Sequence, residues 1–322
     1  MFRFRLALMA ALSASVLPLS VSAESGIKIT QQPEKLRVEV NGQLFTEYHF
    51  AGAPHVYFYP VLGPGGAPIT RNWPMKDVEG EEHDHQHHRS LWYSHGAVNG
   101  IDFWAEGTNS GKILHDMFLE VRDGPEVGVI RSSNRWVAPG GEVVIMDERV
   151  FRVYALPDNE RVFDFEVTLK AGDKDVVLGD TKEGSMAIRV NEGMRLTKAK
   201  NQRGSGRIVQ STGVRDGQTW GKRADWCDYY GPVNGKTVGI AIFDHPSNPK
   251  HPTWWHVRDY GLFAANPFGV HDFEKQEAGA GNVTIPKGQS LTFKYRFYMH
   301  EGDEAKAKVA ERYQEYVKPG IR

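Results

Sequence analysis

Along most of this chain apolar and polar side chains take turns, residue by residue. Leu36-Arg37-Val38-Glu39-Val40, the run from Arg161 to Leu169 and the run from Leu291 to Phe297 repeat at every second position over most of their length. A period of two sets one side of an extended chain against a core and the other in water, so these runs predict strands of antiparallel sheets. Asn41-Gly42 follows the first run and leads into Gln43-Leu44-Phe45. An Asn-Gly pair between extended runs is a strong hairpin signal, and the mature chain is expected to begin with a β-hairpin. Pro64-Gly65-Gly66, Pro139-Gly140-Gly141 and Asn234-Gly235 punctuate other extended runs in the same way. One helix is predicted, at the end: Asp303 as its cap, Ala305, Val309, Tyr313 and Val317 at four-residue steps, and Pro319-Gly320 as its stop. No internal repeat or composition break divides the chain. The expected fold class is all-β, an antiparallel β-sandwich with a short C-terminal helix, as a single domain over residues 24–322.

The first residues follow another pattern. A basic start with Arg3 and Arg5, an apolar stretch from Leu6 to Leu19 and the small-residue end Val21-Ser22-Ala23 describe a secretory signal peptide over residues 1–23. The apolar run is short for a bilayer span and contains Pro18. The mature protein is therefore expected in the periplasm or outside the cell. No further apolar span follows, and a formal net charge of -1 without a run of Lys or Arg disfavours nucleic-acid binding. The single cysteine, Cys227, cannot form an internal disulfide; beside Trp226 and Tyr229 it reads as a packed thiol.

Candidate chemistry is densest at His83-Asp84-His85-Gln86-His87-His88-Arg89, followed by His95, which places five of thirteen histidines within thirteen residues. Imidazole titrates nearest neutrality and is the commonest metal ligand, so such crowding needs water, a metal or a substrate to pair with it. On a strand, His83, His85 and His87 would share a face and could hold a metal with Asp84 or Asp102. The acidic, turn-like Glu79-Gly80-Glu81-Glu82 before them favours a loop instead. Metal binding, substrate contact and a solvated loop stay open as readings. His87, His88 and Arg89 stand out, because the chain turns apolar directly after them at Leu91-Trp92-Tyr93.

Asp180-Thr181-Lys182-Glu183-Gly184 sets two carboxylates beside a lysine, either an acid/base pair or a charged turn. The segment from Asp244 to Arg258 carries His245, His251, Trp254, Trp255, His256 and Arg258 among prolines that stiffen it. If it is extended, Trp254 and Trp255 cannot both face the core. Eight tryptophans and twelve tyrosines fit sugar rings stacking on aromatic walls, and they fit an ordinary β core as well.

Three runs, HDHQHHRSLWYSHGAVNGIDFW from His83, DTKEGSMAIRV from Asp180 and DHPSNPKHPTWWHVRDYGLFAANPFG from Asp244, resemble an exported bacterial family labelled methane oxygenase PmoA. The label does not carry over as an activity, since a membrane methane-oxidising subunit needs several spanning helices. What the resemblance implies is an all-β sandwich like the galactose-mutarotase group, in bacteria that degrade polysaccharides. Its motif positions fall on His87, His88, Arg89, His95, Asp180, Glu183, His245, His251, His256 and Arg258. Together these readings give an expectation: acid/base chemistry on a sugar or oligosaccharide, of hydrolase, lyase or epimerase type. His87, His88, Arg89, His95, Glu183 and His256 are the catalytic candidates, and Asp180, His245, His251, Trp254 and Arg258 the substrate contacts. A sugar-binding module without catalysis and a metalloenzyme with a His-held divalent ion are the alternatives. No cofactor is specified.

Overall fold

A computed structural model describes residues 25–198 and 202–318. The proposed signal peptide and the Pro319-Gly320 stop lie outside the described residues. Two antiparallel sheets of eight strands each dominate the chain. The first runs, in spatial order, through Ile27–Gln31, Lys35–Val40, Gln43–His49, Tyr57–Val61, Leu91–His95, Gly184–Arg189, Leu262–Asn266 and Trp254–Val257. The second runs through Arg207–Gln210, Trp226–Val233, Lys236–Asp244, Ser290–Glu301, Glu160–Lys170, Val143–Tyr154, Val127–Val137 and Lys112–Arg122. Val176–Leu178 and Val283–Ile285 form a separate two-stranded ladder.

The sheets stack on a shared aromatic and aliphatic core, which makes the molecule a β-sandwich as expected. Phe58 of the first sheet lies 4.3 Å from Phe151 of the second, Phe45 lies 5.8 Å from Phe163, and Tyr93 lies 6.3 Å from Trp136. Cys227 is sealed in this core, and burial pushes its thiol up, as suits an inert packing group.

The Asn41-Gly42 turn joins Lys35–Val40 to Gln43–His49 with both residues at positive φ (51° and 75°), the backbone that the twist of a two-residue hairpin requires. It is not the first element: Ile27–Gln31 precedes it and pairs with Lys35–Val40. Asn234-Gly235 turns the chain the same way between Trp226–Val233 and Lys236–Asp244.

At the C-terminus, Asp303 caps a turn by accepting from the Lys306 amide at 2.8 Å. The helix itself is shorter than expected, Val309–Val317, because Lys308 sits in the left-handed region at φ 53° and breaks the run from Asp303. A second, unanticipated helical turn, Val270–Glu274, follows the strand Leu262–Asn266. None of the helices among the described residues is long and apolar enough to cross a membrane.

Candidate functional site

The first sheet has a second face, turned away from the core, and its register assembles the site. Antiparallel partners that sit opposite each other present side chains on the same side. Trp92 pairs with Ala187, Ala187 with Ala264 and Ala264 with His256, so these four form one row across four strands. One step along, Ser94, Ser185, Asn266 and Trp254 form a second row. One step the other way, Ser90, Arg189, Leu262 and Arg258 form a third. Alanine and serine keep the middle low, with Trp92 at one wall and His256 and Trp254 at the other. Three inter-strand steps of about 4.8 Å set these walls about 14 Å apart.

Loops roof this face. The histidine stretch is such a loop, leading into the strand Leu91–His95. Its backbone is held by Arg71, which is 0% exposed and donates to the carbonyls of Glu82 (3.3 Å), Asp84 (3.0 Å) and His85 (3.3 Å). Arg71 also pairs with the Asp84 carboxylate. Arg189, equally sealed, donates to both oxygens of Asp84 at 2.9 and 3.0 Å. Burial alone would push the Asp84 carboxyl up, but the bond to His85 and the charges of Arg189 and Arg71 outweigh it and hold the group far below the usual carboxylate range. Tyr260, His85, His88 and Trp92 then stack in succession, with ring centres 5.1, 4.7 and 5.3 Å apart. Trp104 meets His88 edge-on at 5.8 Å, and Asp102 positions it by accepting from the Trp104 and Ala105 amides at 2.7 and 3.1 Å. Asp102 thus shapes a loop.

Two imidazoles have their tautomers set by the protein. Arg189 donates to His88 Nδ1 at 3.0 Å, which places the ring proton on Nε2. His256 Nδ1 donates to the Lys182 carbonyl at 2.6 Å, which leaves the lone pair on Nε2. Burial keeps both neutral: His256 is lowered to about 4, and His88, with Arg189 beside it, lies well below its ordinary value. His87 is likewise lowered to about 4 by burial and by His85. Its ring nitrogens have no hydrogen-bond partner among the described residues.

Glu183 stands at the rim, 37% exposed, with Lys182 Nζ 3.4 Å away. Its neighbours hold it there. Lys182 donates its amide to Asp272 at 2.8 Å, and Asn266 Nδ2 donates to the carbonyls of Thr181 and Lys182 at 2.9 and 2.8 Å. The Tyr260 ring gathers the three distant sequence segments: His85 stacks on it at 5.1 Å, and the guanidiniums of Arg189 and Arg258 lie 4.8 and 5.4 Å from its centre.

Several expected site residues do other work. Arg89 is on the roof, but Glu106 takes its guanidinium in two bonds of 2.6 and 2.8 Å. His95 alternates to the core side, where it packs on Phe268 at 4.6 Å and bonds the Gly179 carbonyl at 2.8 Å. Asp180 accepts from the His271 and Gly281 amides at 3.0 and 2.8 Å, tying loops together. His245 bonds Ser247 at 2.7 Å, and His251 bonds Asp244 at 2.7 Å and faces Asp225 at 3.4 Å; both belong to a loop organised by Asp244. Trp254 does face away from the core while Trp255 is sealed in it, but Arg223 covers Trp254 at 4.4 Å and Glu274 accepts its indole N–H at 2.7 Å.

The sequence reading missed Arg71, Arg189, Trp104, Trp220 and Tyr260. An arginine inside the apolar run Met186-Ala187-Ile188-Arg189-Val190 was the available signal for Arg189. Among the described residues no three His, Cys, Asp or Glu side chains gather as a metal-binding group. His83 instead stacks on Trp73 at 4.0 Å.

Solved structures with some likeness include a galactose mutarotase related enzyme from Lactobacillus acidophilus (10% identity, 86% of this chain and 97% of that one, TM-score 0.31). An aldose epimerase homologue from C. elegans (8% identity, 87% and 100%, TM-score 0.35) and a polysaccharide lyase (12% identity, 91% and 35%, TM-score 0.37) are also similar. At such scores the architecture stands on the strand pairings described above. No curated protein matches. The model of DUF6807, described as a family of unknown function, matches residues 35–314, and the chain belongs to that family.

Proposed function

We propose that the outer face of the first sheet is the active site of an exported carbohydrate-active enzyme working by acid/base chemistry. One observation carries the reading: two neutral imidazoles on the same face hold opposite tautomers, fixed by the protein. His88 offers an Nε2–H and His256 offers an Nε2 lone pair, each with its other nitrogen already engaged. A donor and an acceptor on one sheet face, beneath the roof loops, suit hydroxyl groups, which are both at once. The aromatic surfaces of Trp92, Trp104 and Tyr260 supply apolar area for the faces of a sugar ring.

Glu183 is the anionic base of this arrangement. His88 polarises a ring or leaving oxygen through its Nε2–H, as a neutral imidazole can without first being protonated. A hollow of about 640 Å³ lined by Gln86, Arg89, Glu106 and Lys112 lies beside the roof loop, and His88, Glu183 and His256 are not among its lining residues. The basic, apolar and small-residue pattern of residues 1–23 supports export.

The test is a panel of polysaccharide-derived oligosaccharides incubated with the mature protein and read by mass and by NMR for epimers. Turnover of one member, falling about 10²- to 10⁴-fold in Glu183→Gln, is expected. Calorimetric binding with no product from any bound member would make the protein a binding module instead. Undiminished turnover in Glu183→Gln would remove Glu183 from the mechanism.

A further inference from the structure

We infer that the sugar bound at this face carries a carboxylate, as a uronic acid does, and that Arg258 receives it. The inference rests on the carbohydrate reading above and narrows it to a substrate class. Its starting point is an inventory of charge around this face. Arg89 is matched by Glu106. Arg195 is matched by Glu192 at 2.5 Å and Glu82 at 2.8 Å. Arg258 has no carboxylate partner and no side-chain hydrogen bond among the described residues. Its guanidinium lies 5.9 Å from the Trp220 ring centre and 5.4 Å from that of Tyr260. Aromatic faces hold a guanidinium in place without cancelling its charge.

A second, independent observation points the same way. Arg71 and Arg189 are both sealed from solvent and share the Asp84 carboxylate, while Arg195 beside them takes both Glu192 and Glu82, so three arginines and three carboxylates balance there and Arg258 is the cation left without an acid. Arg189 Nε is buried with no hydrogen-bond partner among the described residues, and its guanidinium carbon lies 4.8 Å from the Tyr260 ring centre. Arg189 and Arg258 occupy the same row of the sheet, on either side of Leu262. Both guanidiniums flank Tyr260, but Arg189 has Asp84, and the nearby Glu183 already has Lys182, so Arg258 is the one still to be matched. Arg258 is half-buried and has no acid of its own, so its guanidinium is left to pair with a bound anion.

The anion's chemistry follows from the count and from geometry. A phosphate brings about -1.5 to -2 charges at neutral pH, whereas a carboxylate brings one. The planar guanidinium fork also matches a carboxylate in two parallel bonds, which a lysine cannot reproduce. A sulfate ester is a monoanion too, and its tetrahedral shape separates it from the carboxylate in the experiment.

Calorimetry on the mature chain would compare oligosaccharides containing glucuronate or galacturonate, the same compounds with the carboxyl reduced to an alcohol, and sulfated neutral counterparts. The wild type is expected to prefer a uronate over its reduced form by about ten- to a hundredfold. Arg258→Gln should collapse that ratio towards one, and Arg258→Lys should recover only part of it, with circular dichroism confirming that both variants are folded. Equal affinity of the wild type for uronate and reduced sugar would overturn the inference and leave the carbohydrate reading standing. Binding of sulfated sugars in preference to uronates would overturn the carboxylate assignment. Failure of every sugar to bind would overturn both.

Discussion

Two parts of this molecule looked equally rich in chemistry as sequence, and the structure treats them in opposite ways. In the loop from His245 to Thr253, polar groups are consumed internally. The Asp244 carboxylate accepts from Asn248 Nδ2 and His251 Nδ1 at 2.7 Å each and from the Thr253 amide at 2.9 Å, and Asn248 in turn receives the Lys294 amide. On the outer face of the first sheet, His88 and His256 are each anchored through one nitrogen and leave the other without a partner among the described residues, where Arg258 likewise lacks an acid. Density of histidine does not distinguish the two regions; spare bonding capacity does.

Acidification should produce the largest effect that sharpens this contrast. Burial lowers His55 to about 3 and His87, His95 and His256 to about 4, while an unfolded imidazole titrates near 6.5. Between these values the unfolded chain binds protons that the folded chain refuses. Stability is therefore complete above about pH 6.5 and is lost as the pH falls towards 4, each such imidazole contributing a slope of up to about 1.4 kcal/mol per pH unit. A urea midpoint that stays level from about pH 7 to about pH 4.5 would contradict this.

Next in size is Asp84→Ala. It leaves two sealed guanidiniums without their carboxylate and is expected to cost about 3–5 kcal/mol in urea unfolding, together with loss of sugar binding. Asp244→Ala breaks the loop's hub and should cost about 1–3 kcal/mol while sugar binding persists. If Asp244→Ala abolished binding and Asp84→Ala did not, the two regions would have been assigned the wrong way round. The smallest effect belongs to His245→Ala, a half-buried position whose contacts are Ser247 and Tyr316, where stability should fall by no more than about 1 kcal/mol and turnover should not change.

Legibility in the sequence followed burial. Long strands with one wet side, such as Glu160–Lys170 and Ser290–Glu301, show their alternation plainly and were anticipated. Leu91–His95, Gly184–Arg189 and Leu262–Asn266 are buried along their whole length, because loops cover one side and the core the other. With both sides covered, alternation disappears from the sequence. The strands that carry the site were therefore the hardest to read, and the rows that bring Trp92, Arg189 and His256 together exist only in the register. His87, His88, Glu183, His256 and Arg258 were singled out and do converge. His95 was singled out with them, but its parity on the strand Leu91–His95 turns it to the core.

The Lys182 carbonyl has a consequence of its own. It fixes the proton on His256, and the very next residue is Glu183, so one peptide segment governs both the orientation of His256 and the location of Glu183. Shifting that segment by a mutation at Asp272 or Asn266 would disturb the two together, and double-mutant cycles between Glu183 and His256 should depart from additivity although one lies in the bend before Gly184–Arg189 and the other on Trp254–Val257.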